Sequence, residues 1–340
     1  MDAQVQLARL TPVIEATDTL EAAIERWEPI AFAGLKPSTI SSRRHLIRKR
    51  LVEPLGHLPL RDIDERVVLA WQNGLLDVGL APATVQKTRQ MLVAVLDEAV
   101  RRGELRRNKA RAVAPPPDRH VEAVWFTSDE VSAILDAAAG DRSEAVLSFI
   151  AATGVRKGEA LALKWSDVDG AKATIRGTLA RVDGELIVQE PKTQQSRRTV
   201  DLVDAALDAL HLAREQQQRD QAASPAWRDL DYVFTTESGE AIDPRNILRS
   251  FTRIRKAAGI SRGNIHSLRH GLATHLLMNG TPVEVVSKHL GHARTSITLD
   301  TYSHATEEDR SEAIQAGLVG YGKRRRGSGT DNVVSIRRMS

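Results

Sequence analysis

The chain contains no cysteine, so no disulfide can staple it, and a reducing compartment is its natural setting. No apolar run approaches the ~20 residues of a membrane span, and the start lacks the basic-then-apolar pattern of a secretory signal. A cytoplasmic protein without a membrane partner is therefore expected. There is no glycine-rich loop ending in Lys-Ser or Lys-Thr, the pattern that cradles nucleotide phosphates, and no acidic cluster suited to a two-metal nuclease. A large charge of one sign is also missing: the formal net charge is only +4. Overall charge alone does not announce a nucleic-acid partner.

What the chain has is length, apolar residues and an uneven charge distribution. At 340 residues with 41% hydrophobic residues it can bury two cores. Residues 18–114 carry 17 Lys and Arg against 12 Asp and Glu, whereas residues 118–322 carry 24 against 29. Residues 323–340 are again basic, with 6 against 1. A basic first domain and a basic tail fit contacts to a phosphate backbone, while any phosphate site in the acidic middle must be local.

Periodicity and turn chemistry predict a mainly α (α+β) fold. A flexible stretch covers residues 1–17. A helical domain follows over 18–112, with helices around Leu20–Trp27, from Pro37 through Arg50, over Val67–Leu76 and over Pro82–Arg101. Pro115, Pro116 and Pro117 break the helical pattern and set a linker over 113–121. A second, mostly helical domain spans 122–322. A capping box at Thr127–Glu130 starts its first helix. Its period changes between Lys172 and Leu202, where short strands are expected at 174–176, 186–188 and 198–200. Asp183-Gly184 there makes a hairpin turn. Further helices are read over Asp204–Arg219, from Pro244 to Ala258, and over Glu307–Val319. The tail 323–340 is expected to be disordered.

In the first domain, Thr39, Ser41, Ser42, Arg43, Arg44, Lys49, Lys87, Thr88 and Arg89 supply hydroxyls and cations, a mix suited to phosphates with some reach to base edges. A solvated helix face would look the same. In the second domain, polar chemistry concentrates in HSLRHGLATHLLMNGTPVEVVSKHLGHARTSITLDTYSH, from His266 onward. Leu268, Leu272, Leu276 and Leu277 set a helical period over His266–Met278, which places His266, Arg269 and His270 one turn apart. Asn279-Gly280 stops that helix. Thr281-Pro282-Val283-Glu284 reads as a capping box with proline at the first helical position. The next helix ends at Gly291, which presents His292, and another short one leads to Tyr302. A His pair four residues apart, such as His266 and His270, can bind a metal. No glutamate sits between these two, however, and Arg269 would repel a cation, so no metal and no cofactor are expected. A second stretch, TGVRKGEAL from Thr153, halts a helix at Gly154 and puts Arg156 in the turn before Glu159. There its planar fork could hold a phosphate, or simply face solvent.

TGVRKGEAL, HSLRHGLATHLL, LGH and TLDTYSH, in this order, resemble the tyrosine recombinases, the phage integrase family. The resemblance covers roughly Trp125–Gly322 through its motifs and the preceding domain more loosely. It implies a catalytic set of Arg156, Lys192, His266, Arg269, His292 and the nucleophile Tyr302, with Glu159 in support. Lys192, in a Pro-Lys-Thr turn after the Asp183-Gly184 hairpin, ranks above its neighbours Arg197 and Arg198. Leu272 stands where many members have phenylalanine, a change of packing rather than chemistry. The resemblance further implies that the first domain is a core-binding domain clasping double-stranded DNA at specific recombination sites. It also implies a homotetramer formed on DNA by exchange of the 307–319 helix. An accessory DNA-bending or directionality protein is a further expected partner. The stretch before residue 18 has no room for an arm-binding domain, so a compact member is expected. Two other readings use the same chemistry or scaffold: a type IB topoisomerase-like cleaving and rejoining enzyme, and a DNA-binding regulator that does not cleave.

Overall fold

The computed structural model describes residues 18–117, 124–190, 197–291 and 295. The chain forms two compact units. One comprises Met1–Glu122 with Gly177–Glu190 and Ala241–Asn246; the other comprises Ala123–Arg176, Pro191–Glu240 and Ile247–Ser340. No helix among the described residues is long and apolar enough to cross a membrane.

The first unit is built on four helices. Helix α1 (Leu20–Ala31) starts where the hydroxyl of Thr19 accepts from Ala22 N, and it buries Leu20, Ala23, Ile24 and Trp27. Helix α2 (Pro37–Ile47) opens on proline and buries only Ile47, as its run of Ser, Thr and Arg dictates. The sequence predicts a continuous helix through Arg50. Instead the backbone widens into a π-helical turn over Arg48–Val52. There Pro54, four residues on, has no N–H to give to Arg50 O, and the indole N–H of Trp71 donates to that carbonyl at 2.7 Å instead. Helix α3 (Glu65–Asp77) is capped by Asp64, whose carboxylate accepts from Arg66 N and Val67 N, both at 2.9 Å. Helix α4 (Pro82–Arg101) contributes Val85, Leu92, Val95, Leu96 and Ala99 to the shared core.

The remaining elements begin with α5 (Ser128–Ala138), α6 (Glu144–Thr153) and the short α7 (Lys157–Ala162). The capping box between Thr127 and Glu130 is present at the start of α5. Five strands follow: β1 (Val168–Asp169), β2 (Lys172–Ile175), β3 (Thr178–Val182), β4 (Glu185–Gln189) and β5 (Arg198–Asp201). They form two antiparallel sheets, β1-β2-β5 and β3-β4. Asp183 and Gly184 close the β3-β4 hairpin with φ of 48° and 97°, the left-handed pair that a two-residue hairpin turn requires. The sequence reading missed β3. In the described strands β4 pairs with β3, and β5 pairs with β2. The β3-β4 hairpin belongs to the first unit, where Ser38 Oγ donates to Gln189 Oε1 at 2.7 Å and Ser41 Oγ to Asp183 Oδ1 at 2.8 Å.

Four more helices complete the described chain: α8 (Asp204–Ala223), α9 (Pro244–Ala257), α10 (His266–Met278) and α11 (Val283–Leu290). The core of the second unit includes Phe126, Ile134, Leu147, Phe149, Ile150 and Leu268, each no more than 1% exposed. Phe149 packs on Phe234 with ring centroids 5.5 Å apart. Gly271 lets α10 approach the segment before α5, since a Cβ there would lie 2.6 Å from Phe126 O. The capping box expected at Thr281 is not formed. Pro282 takes the cap position of α11 without a side-chain bond, while Thr281 N donates back to Leu276 O and closes α10.

Candidate active site

Helix α6 ends at Gly154, with φ of +65°. A Cβ at this position would sit 2.9 Å from both Leu272 Cδ2 and Leu290 Cδ2, so the left-handed turn and the close approach both require glycine. The chain then reverses and Arg156 becomes the N-cap of α7. Its backbone N–H donates to Glu159 Oε2 at 2.9 Å and its Nη1 donates to Glu159 Oε1 at 2.9 Å. Among the described residues no acceptor meets its Nε or Nη2, and the side chain is 39% exposed. One edge of the guanidinium is thus anchored and the other is presented.

The same carboxylate is held from behind. Arg198, at the start of β5, donates from Nη2 to Glu159 Oε2 at 2.9 Å and from Nη1 to Oε1 at 3.3 Å. Burial alone would raise the pKa of Glu159, but hydrogen bonds and charge from Arg198, with those from Arg156, outweigh it and keep the carboxyl below its ordinary range. Arg198 Nε also donates to His289 O at 3.1 Å, in the last turn of α11.

Arg269, one turn into α10, is 1% exposed. Its Nη1 donates to Gly154 O and its Nη2 to Leu290 O, each at 2.7 Å. These carbonyls stand at the C-terminal ends of α6 and α11, where helix dipoles concentrate partial negative charge. A buried cation is therefore compensated by two helix ends, and its plane is fixed between them. His289 adds a further tie: its Nε2 donates to Thr153 O at 3.0 Å, so that nitrogen carries a hydrogen. Burial, opposed by that bond and assisted by the charges of Arg198 and Arg269, lowers its pKa.

His266 opens α10, its backbone N–H held by Asn264 Oδ1 at 2.8 Å. Its ring meets that of His270 edge-on at 4.9 Å between centroids. The residue is exposed as a whole, yet the protein around its ring removes part of the ring's hydration. That desolvation first, then the charges of His270, Arg269 and Arg156, push its pKa from 6.5 down to about 4, with Glu159 opposing. The ring is thus an unprotonated base at neutral pH. The pKa of His270 is likewise lowered, by burial and by Arg269.

Of the residues read from the sequence, the fold brings Arg156, Glu159, His266 and Arg269 into one cluster. Lys192, His292, Tyr302 and the helix expected over 307–319 lie outside the described residues. Arg198 and His289 were not picked out as site residues. Each sits beside a more conspicuous neighbour, Lys192 or His292, and nothing in local spacing shows that they face inward. Among the described residues no group of three or more His, Cys, Asp or Glu could hold a metal ion.

The cations of the first unit divide. Arg43 and Lys87 line one groove with Ser38, Thr39, Ser42 and Gln90, and Arg43 also lies over the Phe32 ring. Arg44 pairs with Glu28, and Lys49 pairs with Glu53 at 2.7 Å. Arg89 turns inward and donates to Ala110 O and Val113 O, and Thr88 is fully buried on Thr84 O. Inward ties of this kind spend the donors on the fold itself.

Residues 124–309 match the model of the Phage integrase family, and residues 19–76 match that of the phage integrase N-terminal SAM-like domain. A tyrosine recombinase XerC-like protein of Caldanaerobacter subterraneus subsp. tengcongensis is 31% identical over 266 residues, which is 72% of this chain and 68% of that one. The Tn1549 transposon integrase, solved with a circular intermediate DNA, superposes with a TM-score of 0.70 at 19% identity, covering 88% of this chain and 99% of that one. The lambda integrase tetramer on a Holliday junction gives 0.65 at 23% identity, covering 87% and 81%.

Proposed function

The chain belongs to the phage integrase family, and on that premise we propose that it is a site-specific DNA recombinase acting through a 3′-phosphotyrosyl intermediate. The observation that carries the residue assignment is the meeting of two arginines. Arg269 is locked to Gly154 O, two residues before Arg156, and Arg156 keeps one guanidinium edge without an acceptor among the described residues. Two such cations suit the nonbridging oxygens of one phosphodiester, where charge builds during attack.

In this reading the hydroxyl oxygen of Tyr302 attacks phosphorus and gives its proton to His266. The bond from phosphorus to the 5′-oxygen breaks, and Lys192 protonates the departing oxygen. His292 adds a donor to the phosphate. The free 5′-hydroxyl of a second strand then attacks the phosphotyrosine, displaces Tyr302 and rejoins the DNA. One phosphoester replaces another at each step, so the energy of the broken bond is kept in the intermediate.

The partner is double-stranded DNA, with Arg43, Lys87 and their neighbouring hydroxyls as backbone contacts of the first unit. The working assembly is a homotetramer, in line with the tetramer that lambda integrase forms on a Holliday junction, and exchange of the 307–319 helix would join its protomers. An accessory DNA-bending or directionality protein completes the proposal. The test is a denaturing gel after incubation of wild type and Tyr302→Phe with nicked DNA from the ends of the element that encodes the protein. A covalent adduct in wild type alone is expected. Strand exchange retained by Tyr302→Phe would remove the nucleophile assignment.

A further inference from the structure

Arg198 lies outside the set of groups that touch the phosphate in the mechanism above. Yet it is 7% exposed in its side chain and makes three directed bonds to two different segments. Two go to the oxygens of Glu159, the carboxylate that anchors Arg156. The third goes to His289 O, three residues before His292. Arg198 itself begins the strand that follows the Lys192 segment. It also defines how close α11 can come: Gly291 has φ of +69°, and a Cβ there would lie 2.8 Å from Arg198 Cδ.

We propose that Arg198 is a positioning residue that sets the phosphate-binding edge of Arg156 by sharing Glu159, and ties that edge to the end of α11. The physical reason is a division of charge. Glu159 is 6% exposed in its side chain and carries one negative charge between two guanidinium groups. With Arg198 in place, half of its hydrogen-bonding capacity is taken from behind, and Arg156 needs to give only its backbone N–H and Nη1. Without Arg198, the buried carboxylate has Arg156 as its one strong partner. The guanidinium is then drawn onto it, and its Nε and Nη2 turn away from the phosphate. A lysine cannot substitute fully, because a point charge does not present a bidentate fork to Glu159 and a third N–H to His289 O together. This inference rests on the recombinase reading.

The test measures adduct formation on a nicked duplex with either a natural phosphodiester or a methylphosphonate at the cleaved position. The methylphosphonate lacks one charged oxygen and so demands less of Arg156. Arg198→Ala, Arg198→Lys and Arg156→Ala are compared with wild type, with gel-shift affinity and thermal unfolding measured alongside. Arg198→Lys keeps the buried charge and guards against a variant that simply fails to fold. Both Arg198 variants are expected to bind DNA within about threefold of wild type and to form adduct about 10- to 100-fold more slowly on the phosphodiester. That deficit is expected to shrink on the methylphosphonate, as it does for Arg156→Ala. Unchanged adduct rates in both Arg198 variants, or an equal deficit on the two substrates, overturns the positioning role while leaving the recombinase reading intact. A wild type that binds these sites but forms no adduct overturns the recombinase reading, and this one with it.

Discussion

Arg269 donates to Gly154 O at 2.7 Å from a side chain that is 1% exposed, so the terminal carbonyl of α6 and the buried guanidinium of α10 compensate each other. Gly154 lies two residues before Arg156, and the tie fixes one arginine of the site by reference to the turn that carries the other. Arg269 therefore has a structural part beside the role proposed for it, whereas the side chain of Arg156 is 39% exposed.

That difference separates two alanine variants. Arg269→Ala leaves two buried carbonyls without donors and is expected to lose roughly 2–4 kcal/mol of stability. Arg156→Ala is expected to cost less, about 1–2 kcal/mol, because its side chain is half-exposed and Arg198 and the backbone N–H of residue 156 still hold Glu159. Both should slow adduct formation by about 10²-fold or more. Urea unfolding monitored by circular dichroism, beside the denaturing gel, checks the split.

Gly154→Ala is expected to cost about 1–3 kcal/mol, from left-handed strain and from the 2.9 Å approach to Leu272 and Leu290. Adding Leu272→Ala should relieve the contact with Leu272 and leave the Leu290 contact and the backbone part. A double-mutant cycle on unfolding free energy reads the coupling directly.

His266 has a folded pKa of about 4 against an ordinary 6.5. The unfolded chain therefore binds this proton more readily than the folded one. The resulting stability difference is fully present above pH ~6.5 and is lost as pH falls from there through ~4. His266→Gln should flatten the stability profile in that window, as read by unfolding midpoints at successive pH values. In adduct formation at subsaturating DNA, the acid limb due to His266 should fall well below pH 6. A limb centred at 6.5 would contradict the desolvated ring.

In the first unit, Arg43→Ala and Lys87→Ala should each weaken DNA binding and lower the slope of log affinity against log salt by about 1. Arg44→Ala and Lys49→Ala, whose charges are already paired with Glu28 and Glu53, should do less. Arg89→Ala should act on thermal stability, since its donors hold Ala110 O and Val113 O. Salt-dependent fluorescence anisotropy distinguishes the three behaviours.

EDTA is expected to leave adduct formation unchanged, because both cations assigned to the phosphate are arginines. Cutting that stops on chelation would return His266 and His270 to consideration as metal ligands.

Elements with strong local signals were legible in the chain. Helix α4 begins and ends at Pro82 and Arg101, and α10 at His266 and Met278, because proline, apolar period and Asn-Gly each act within a few residues. Asp183-Gly184 announced its turn in the same way. What was not legible depends on distant partners. In the widened turn at Arg48–Val52 the donor to Arg50 O comes from Trp71, about twenty residues on. β3 is half-polar and gains its pairing from β4 rather than from its own pattern. In the site, His266, Arg269 and Arg156 stood out because their motifs are local. The inward aim of Arg198 and His289 is set by α7 and α6, which no spacing within their own segments reveals.

The β3-β4 hairpin, inserted in sequence between β2 and β5, belongs to the same unit as α1 to α4. That has a consequence for inheritance and engineering. Exchange of the four helices between related chains by crossing over at Pro115–Pro117 would leave their hairpin in the other parent's half. Leu179 and Val182, 3% and 8% exposed here, would then face a foreign surface. A chimera that keeps this unit whole would need four crossovers more, flanking residues 177–190 and 241–246, so the unit is transmitted as a discontinuous piece of chain.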